Sequence, residues 1–416
     1  MNTDLINIGI RAKEASYVLA SLGTAKKNEA LTAMHKAFYG NSGRVAAANA
    51  KDILAGRKNG MSAAMLDRLT FDVRRVEKTA DAILDIIALP DPVGRVIGGN
   101  THPNGMTIEK VTVPLGVIGV IFEARPNVTI DAAALCLKAG NAVILRGGSE
   151  AIHSNIAIVQ VMREALKEVG LPADCVQLVE DTSRESAQEM MQLDRYIDVL
   201  IPRGGAGLIR SVKENATVPV IETGTGNCHI YIDENADVAM ASDIVCNAKL
   251  SRPSVCNAAE SLVLHERVAR WALPIIAEKL RRENVVIVGD EAACHILKDI
   301  EPATEEDWGK EYLDYKISVK IVKNIDEAIH HINTYSTHHS ETIITESYVN
   351  AEKFLAMVDS AAVYVNASTR FTDGGEFGFG AEIGISTQKL HGRGPVGLPE
   401  LVTHKYLIRG KGQIRT

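Results

Sequence analysis

Apolar residues recur at helical spacing through the first 90 residues, and charged residues occupy the intervening positions. The stretch ANAKDILAGRKNGMSAAMLDRLTFDVRRVEKTADAILDII is typical, and the pattern predicts a series of amphipathic helices. Two strand-like stretches then flank the turn sequence HPNG, which predicts a β-hairpin over about residues 95–114. A projecting hairpin of this kind often serves assembly.

Beyond the hairpin the pattern changes to short apolar runs separated by amphipathic helices. The runs GVIGVIF, NAVILRGG, CVQLVED and DVLIPRGG predict βαβ crossovers in a parallel, doubly wound sheet. A second α/β series begins near residue 253 with SLVLHE and ends with AAVYVN. We therefore expect an α/β protein with domains at 1–252, 253–366 and 367–416, in which the terminal strand LVTHKYLIRG pairs with the hairpin.

The composition is that of an enzyme-sized globular protein. The 416 residues are 46% apolar and 23% charged, and the net charge of −7 is not collected into runs, so nothing favours nucleic acid or an anionic membrane. The N-terminal stretch lacks the uninterrupted apolar core of a signal peptide. Six cysteines without CxxC spacing argue against a disulfide framework and a zinc site, and favour a reducing cytoplasm.

One cysteine differs from the others in its local sequence. Cys256 lies in SRPSVCNAAE, after a Pro-Ser break, and the pattern predicts the start of a short helix there with Arg252 nearby. A helix N-terminus and a neighbouring cation both favour the nucleophilic thiolate. The competing interpretation is plain burial, and the rival nucleophile is Cys228, which has no cation beside it.

Two glycine-containing turns are candidates for binding a cofactor phosphate. In IPRGGAGLIRSV glycines separate a strand from a helix, which suits a pyrophosphate but also an ordinary tight turn. In LRGGSEA, Arg146 at a strand end is well placed for a phosphate. The pairs His330-His331 and His338-His339 invite a metal interpretation, but no ordered set of carboxylates or cysteines accompanies them, so no metal is expected.

Several stretches in order resemble the aldehyde dehydrogenase superfamily over almost the whole chain. They are VPLGVIGVIFEARPNVTIDAAALCLKAGNAVILRGGSEA, PRGGAGLIRSV, VPVIETGTGNCHIYID, SRPSVCNAAESLVLH, EYLDYKISVKIV and FGFGAEIGISTQKLHGRGPVGLPEL. IFEARPN, ETGTGNCH and RPSVCN are specific to the branch that reduces L-glutamyl 5-phosphate to L-glutamate 5-semialdehyde in proline biosynthesis. The resemblance implies a Rossmann-type cofactor domain, an α/β catalytic domain and a small β oligomerisation element.

The resemblance also implies roles for single residues. Cys256 matches the nucleophile, Glu222 a strand-end acid of the site, and Asn366 a position lining the substrate pocket. The match assigns cofactor contacts to Arg146, Gly204, Gly205 and Glu311. The usual Trp-Asn pair is replaced by Ala124 and Arg125, so the oxyanion donor is Asn127, Arg125 or the Cys256 N–H.

Cofactor and partners follow from the same match. Ser149 stands where NAD-preferring members carry an acid, which together with Arg146 points to NADPH. Arg252 is a candidate for binding the leaving phosphate, and the competing interpretation is a surface salt bridge. For Asn366, the interpretation that competes with lining the substrate pocket is a buried amide at a strand end. A homo-oligomer and association with glutamate 5-kinase are expected. The alternatives are a hydrolytic NAD-dependent semialdehyde dehydrogenase and a non-enzymatic homologue.

Overall fold

The computed structural model describes residues 3–415, apart from the side chain of residue 64, and the chain divides into two units. The first unit runs to Thr223 and includes Gly378–Gly384 and the chain from Val396 onward, and the second comprises Gly224–Phe377 and Ile385–Pro395. The main boundary thus lies at 223/224 and not at the expected 252/253, because the strand Cys228–Ile232 pairs within the second unit's sheet. The segment expected as one tail from residue 367 is shared between the units.

A parallel sheet forms the centre of the first unit. Its strands are β3 (Val117–Phe122), β4 (Ala142–Arg146), β5 (Val176–Leu178) and β6 (Val199–Arg203), in the order β5-β4-β3-β6. The helices are α1 (Thr3–Ala20), α2 (Thr24–Lys58), α3 (Ala63–Leu69), α4 (Val73–Ala88), α5 (Pro126–Lys138), α6 (Ile152–Glu168), α7 (Arg184–Met191) and α8 (Ala206–Asn215). The predicted α/β alternation is confirmed.

The predicted hairpin is also confirmed. Strands β1 (Val96–Thr101) and β2 (Thr107–Pro114) pair antiparallel. The turn between them needs Gly105, whose φ of +89° few other residues adopt. The terminal strand β16 (Val402–Arg409) pairs antiparallel with β2, as the sequence suggested.

The second unit contains a larger parallel sheet with order β10-β9-β11-β8-β7-β12-β13. Its strands are β7 (Cys228–Ile232), β8 (Ala259–His265), β9 (Val286–Gly289), β10 (Glu301–Pro302), β11 (Lys316–Val322), β12 (Ser340–Ile344) and β13 (Ala362–Val365), and a short pair is formed by β14 (Ile385–Ser386) and β15 (Gly394–Pro395). The helices are α9 (Val238–Leu250), α10 (Glu266–Arg282), α11 (Glu291–Ile296), α12 (Glu305–Trp308), α13 (Ile325–Tyr335) and α14 (Tyr348–Met357).

Helices cover both faces of this larger sheet. Ile230 and Ile232 of β7 belong to the core formed with α9 and α10. Tyr231 lies between them in sequence and packs instead with Ile329 of α13 and Phe354 of α14. Alternation along a strand sends neighbours to opposite faces, so continuous apolar runs such as this one require helices on both sides. Among residues 3–415, no helix has the length and apolar content to cross a membrane.

Candidate active site

Cys256 lies in a turn between α9 and β8. Helix α9 ends at Leu250, and Pro253 disfavours helical conformation in the residue before it. The N–H of Ala258 donates to the carbonyl of Val255 (3.1 Å), which places Cys256 inside a tight turn. The expectation that Cys256 starts a short helix is therefore wrong, because the chain enters β8 directly at Ala259.

The residue after the cysteine anchors this turn. Asn257 is buried, and its Nδ2 donates to the carbonyl oxygens of Thr372 (2.9 Å) and Arg370 (3.3 Å). Its Oδ1 accepts a hydrogen bond from Nη1 of Arg370, and its carbonyl accepts one from Thr369 (2.7 Å). These contacts fix the position of Cys256 from a segment more than 110 residues away.

The GTGN loop packs against the same turn from the other side. A Cβ on Gly226 would lie 1.4 Å from the carbonyl oxygen of Cys256, so only glycine fits there. The N–H of Gly226 donates to Glu311 (2.7 Å). The loop is held further by Asn227, whose Nδ2 donates to the carbonyls of Trp308 (2.8 Å) and Tyr335 (3.0 Å).

Cys228, the rival nucleophile, is fully buried. Its Sγ donates to the carbonyl oxygen of Cys256 (3.2 Å). Burial raises the pKa of Cys228 well above its ordinary value, and the charge of Glu341 raises it further. Cys228 is therefore a protonated, inaccessible thiol that supports the Cys256 turn, whereas Cys256 is half-buried.

Glu311 is linked to the GTGN loop through its bond with Gly226. Burial raises the pKa of Glu311, and the Gly226 N–H and the charge of His339 act in the opposite direction. In this arrangement the carboxylate positions the GTGN loop. A contact to a nicotinamide ribose remains a prediction.

The two expected substrate residues of the second unit differ in their surroundings. Arg252 is exposed, four residues before Cys256. Asn366 follows β13 with φ +54°, and its amide is bonded at both ends to the backbone of Thr345, each at 2.9 Å. Those bonds tie the ends of β12 and β13 together, which favours the structural interpretation of Asn366 over a substrate contact.

In the first unit the expected cofactor residues meet at the carboxyl ends of β3, β4 and β6, where doubly wound sheets bind ligands. Gly204 and Gly205 join β6 to α8. The nearest atom to a Cβ built on Gly205 is Glu123 Oε2 at 3.9 Å, and nothing lies within 4 Å of one on Gly207. The backbone around Gly205 and Gly207 at the start of α8 therefore has open space that suits a dinucleotide.

Glu123 already uses part of that surface. Its Oε2 accepts a hydrogen bond from the N–H of Gly205 (2.9 Å), and a Cβ on Gly204 would lie 2.7 Å from its carboxyl group. A carboxylate at a helix N-terminus is favoured by the helix dipole. Glu123 is exposed, so its side chain can rotate away when an anionic ligand takes the same N–H.

Arg146 at the end of β4 donates through Nη2 to the carbonyls of Thr182 (2.7 Å) and Ser183 (2.8 Å). Burial lowers the pKa of Arg146, while the charges of Glu150 and Asp181 raise it. Ser149 is exposed at the start of the following turn, whose Glu150 accepts the N–H of Ala124 (2.7 Å). The arginine thus stands beside the strand ends with its guanidinium oriented by backbone carbonyls.

The remaining expected residues of the first unit are engaged locally. Asn127 in α5 donates through Nδ2 to Asp131 (3.0 Å), and burial raises the pKa of Asp131 to about 6. Arg125 occupies the N-cap position of the same helix, and its side chain makes no capping hydrogen bond there. Glu222 forms an ion pair with Lys213 of α8 (3.1 Å).

The histidine pairs belong to packing and turns. His331 packs against Trp308 and Tyr335, and His338 donates through Nδ1 to the carbonyl of Asp359. Within residues 3–415, no group of three or more His, Cys, Asp or Glu side chains is arranged to hold a metal ion.

Three residues near the candidate sites were not predicted from the sequence. Glu123 and Glu150 lie inside stretches that were recognised, but their carboxylates were not assigned. Arg370 was missed altogether. Its one sequence signal is a cation shortly after the apolar run AAVYVN, beyond the carboxyl end of β13.

Comparison with known proteins agrees with these features. A profile described as "Aldehyde dehydrogenase family" matches residues 12–295. The γ-glutamyl phosphate reductases of Clostridium perfringens (strain SM101) and Clostridium botulinum (strain Eklund 17B) are 60% and 61% identical over 415 and 412 residues, covering 100% and 99% of this chain and all of theirs. The crystal structure of γ-glutamyl phosphate reductase from Thermotoga maritima is 49% identical with a TM-score of 0.97, over 99% of this chain and all of that one.

Proposed function

Because this chain belongs to the aldehyde dehydrogenase family, and within it to the γ-glutamyl phosphate reductases, we propose that it reduces L-glutamyl 5-phosphate to L-glutamate 5-semialdehyde and phosphate, with NADPH, in proline biosynthesis. The observation that carries the proposal is the environment of Cys256. It is a half-buried thiol on a tight turn, held by Asn257 and Gly226 and accompanied by arginines.

The thiol of Cys256 is the nucleophile of the proposed reaction. Positive charge near a thiol favours the thiolate, and Arg252 and Arg370 supply it here without a helix N-terminus. The thiolate attacks the acyl carbon, the bond from that carbon to the phosphate oxygen breaks, and phosphate leaves with the electron pair of that bond and takes up a proton from solvent. A thioester on Cys256 results, and an acyl phosphate is reactive enough for this step where a free carboxylate is not.

The first unit supplies residues that fit a nicotinamide dinucleotide. Gly204, Gly205 and the open first turn of α8 would hold its pyrophosphate. Arg146 and Ser149 favour the 2′-phosphate of NADPH, because a guanidinium attracts it and no acid stands at position 149 to repel it. When bound, NADPH would supply the hydride that reduces the thioester carbonyl, and the aldehyde is released when the C–S bond breaks and returns its electron pair to the sulfur of Cys256.

Stabilising the charge on the carbonyl oxygen falls to hydrogen-bond donors near the reacting carbon. We assign this role to the Cys256 N–H, with Asn127 and Arg125 as the other candidates. Glu222 is not needed as a base in the reductive direction, because a base that activated water would hydrolyse the thioester before it could be reduced. Its ion pair with Lys213 suits a positioning role.

Partners and compartment follow from the same assignment. We propose that the protein is cytoplasmic and forms a homo-oligomer through the β1-β2-β16 sheet, which exposes apolar side chains. Since an acyl phosphate is lost to water, association with glutamate 5-kinase would shorten its exposure.

The test is the reaction run backwards. L-glutamate 5-semialdehyde and NADP⁺ are supplied with and without inorganic phosphate, and the absorbance of NADPH is followed for wild type, Cys256→Ala and Cys228→Ala. We expect turnover in wild type only with phosphate, none in Cys256→Ala, and substantial turnover in Cys228→Ala.

Each contrary outcome has a distinct meaning. Turnover without phosphate would indicate the hydrolytic dehydrogenase instead. Activity retained by Cys256→Ala would remove this cysteine from the mechanism, and a preference for NAD⁺ over NADP⁺ would refute the assignment of Arg146 and Ser149.

A further inference from the structure

Arg370 is held against the turn of the nucleophile on two sides. It lies in the short 3₁₀ turn Thr369–Phe371 that follows β13. Its Nη1 donates to Asn257, directly after Cys256, and its Nε donates to the hydroxyl of Ser251 (3.0 Å), just before the turn. Since Asn257 donates back to the carbonyl of Arg370 (3.3 Å), the pair is reciprocal and the guanidinium has one defined orientation.

A second guanidinium acts on the same region. Burial lowers the pKa of Arg370, and the positive charge of Arg252 lowers it further. Asp373 and the sulfur of Cys256 act in the opposite direction. Two arginines that repel each other beside a nucleophile form a favourable place for an oxyanion, because an anion between them removes their repulsion and accepts their hydrogen bonds.

We propose that Arg370, together with Arg252, binds the phosphoryl group of the acyl phosphate, and binds inorganic phosphate in the reverse direction. This inference rests on the proposed function and names the group that its site recognises. As the thiolate of Cys256 forms its bond to the acyl carbon, the electron pair of the breaking C–O bond passes to the phosphate oxygen. The guanidinium of Arg370 stabilises that charge as it develops, so Arg370 is a catalytic residue.

The kinetic test uses phosphate as a substrate of the reverse reaction. We expect Arg370→Gln to raise the KM for phosphate at least 10-fold, with the KM values for the semialdehyde and NADP⁺ within 2-fold of wild type, and Arg370→Lys to lie between. Arg267→Gln is the control, because Arg267 pairs with Glu234 on the surface of the same unit. If Arg370→Gln raised the KM values for all three substrates equally, Arg370 would have a structural role through Asn257, and the proposal would be overturned.

A binding measurement keeps the inference testable if turnover is absent. Iodoacetamide, a neutral reagent, alkylates Cys256, and inorganic phosphate at constant ionic strength should slow this reaction in wild type and in Arg267→Gln but not in Arg370→Gln. Ser251→Ala, which removes the Nε partner alone, should keep most of the protection. Equal protection by phosphate in wild type and Arg370→Gln, or no protection in wild type, would overturn the phosphate assignment. If phosphate protects the wild-type protein but the wild-type protein shows no phosphate-dependent turnover, the proposed reaction would be overturned instead.

Discussion

Burial separates the cysteines of this chain by reactivity. Burial raises the pKa of Cys175 to about 12, and it raises the pKa values of Cys136, Cys228 and Cys246 as well. Cys228 nevertheless contributes to the site, because its sulfur donates to the carbonyl of the residue that performs the proposed chemistry. A buried thiol one strand away thus helps to place the half-buried one.

Gly226 packs very closely against Cys256, the proposed nucleophile. Its substitution by alanine would put a methyl group on the Cys256 carbonyl, where backbone on both sides leaves no flexible atom to move. We expect kcat in Gly226→Ala to fall at least 100-fold, with the unfolding free energy reduced by about 1–3 kcal/mol through overpacking.

Gly40→Ala is the matched control for that substitution. Gly40 lies in α2 with nothing within 4 Å of its Cβ, so alanine there should leave kcat unchanged and stabilise the protein by roughly 0.5–1 kcal/mol. Steady-state kinetics and urea unfolding measure both effects. Full activity in Gly226→Ala would mean that the position of the Cys256 turn is not critical.

His331 makes the stability of the second unit depend on pH. Burial lowers its pKa to about 3, and the neighbouring charge of His229 acts in the same direction. The folded state therefore binds fewer protons than the unfolded state between pH 6.5 and 3. This contribution is fully present above pH 6.5 and is lost as pH falls toward 3, with a slope of up to ~1.4 kcal/mol per pH unit.

We expect His331→Phe to flatten this dependence. Urea unfolding at pH 7.0, 6.0 and 5.0 should show a smaller loss of stability on acidification than wild type, whatever the stability at pH 7.0. His330→Phe, at the exposed neighbouring position, should keep the slope of wild type. Identical slopes in wild type and both variants would mean that His331 takes up no proton on unfolding.

At the scale of elements, the start of α8 forms a hydrogen bond within the chain at the position proposed for the cofactor pyrophosphate. The carboxylate of Glu123, one residue after β3, accepts the N–H of Gly205 at the helix N-terminus. A cofactor pyrophosphate would need the same donor and the same favourable end of the dipole. The acid and the ligand therefore compete.

Glu123→Gln should bind NADPH more tightly than wild type. Removing the negative charge removes the repulsion and weakens the competition, because a neutral amide oxygen is a poorer acceptor than a carboxylate, and we expect the Kd for NADPH to fall 3-fold or more in a fluorescence titration. Glu164→Gln, an exposed acid on α6, should leave the Kd unchanged. A weaker affinity in Glu123→Gln would show instead that Glu123 assists binding.

At the scale of the whole molecule, the β1-β2-β16 sheet remains without a covering layer in the single chain. Tyr406 and Ile408 are two residues apart on one face of β16 and are 59% and 60% exposed. Apolar side chains along a strand of this kind mark an interaction surface or an aggregation hazard. A second copy of this sheet would cover them.

The double variant Tyr406→Asp/Ile408→Asp should be smaller in solution than wild type. Placing two carboxylates on the face would oppose burial against a partner, and size-exclusion chromatography with light scattering would show a lower mass for the variant. Lys405→Asp, on the opposite face of β16, is the control for added negative charge. An unchanged mass in the double variant would exclude this face from the assembly.

Much of this architecture was predictable from the sequence because periodicity is a local property. The alternation of apolar runs with amphipathic helices predicted both α/β series, and the HPNG turn predicted the hairpin with its terminal partner strand. The order of the motifs identified the family and singled out Cys256. The helix expected at Cys256 and the boundary at residue 252 were wrong, because Pro253 and the pairing of β7 override the local pattern.

Only the tertiary structure brought together the groups that surround those motifs. Arg370 and Asn257 are separated by 113 positions, and Glu123 and Gly205 by 82. Glu123 and Gly205 meet because the parallel strands β3 and β6 end at the same edge of their sheet, whereas the chain that follows β13 brings Arg370 to Asn257 before β8. Neither pairing is encoded by local spacing. The sequence by itself predicted the elements and the candidate nucleophile, and the tertiary fold decided which charges stand beside them.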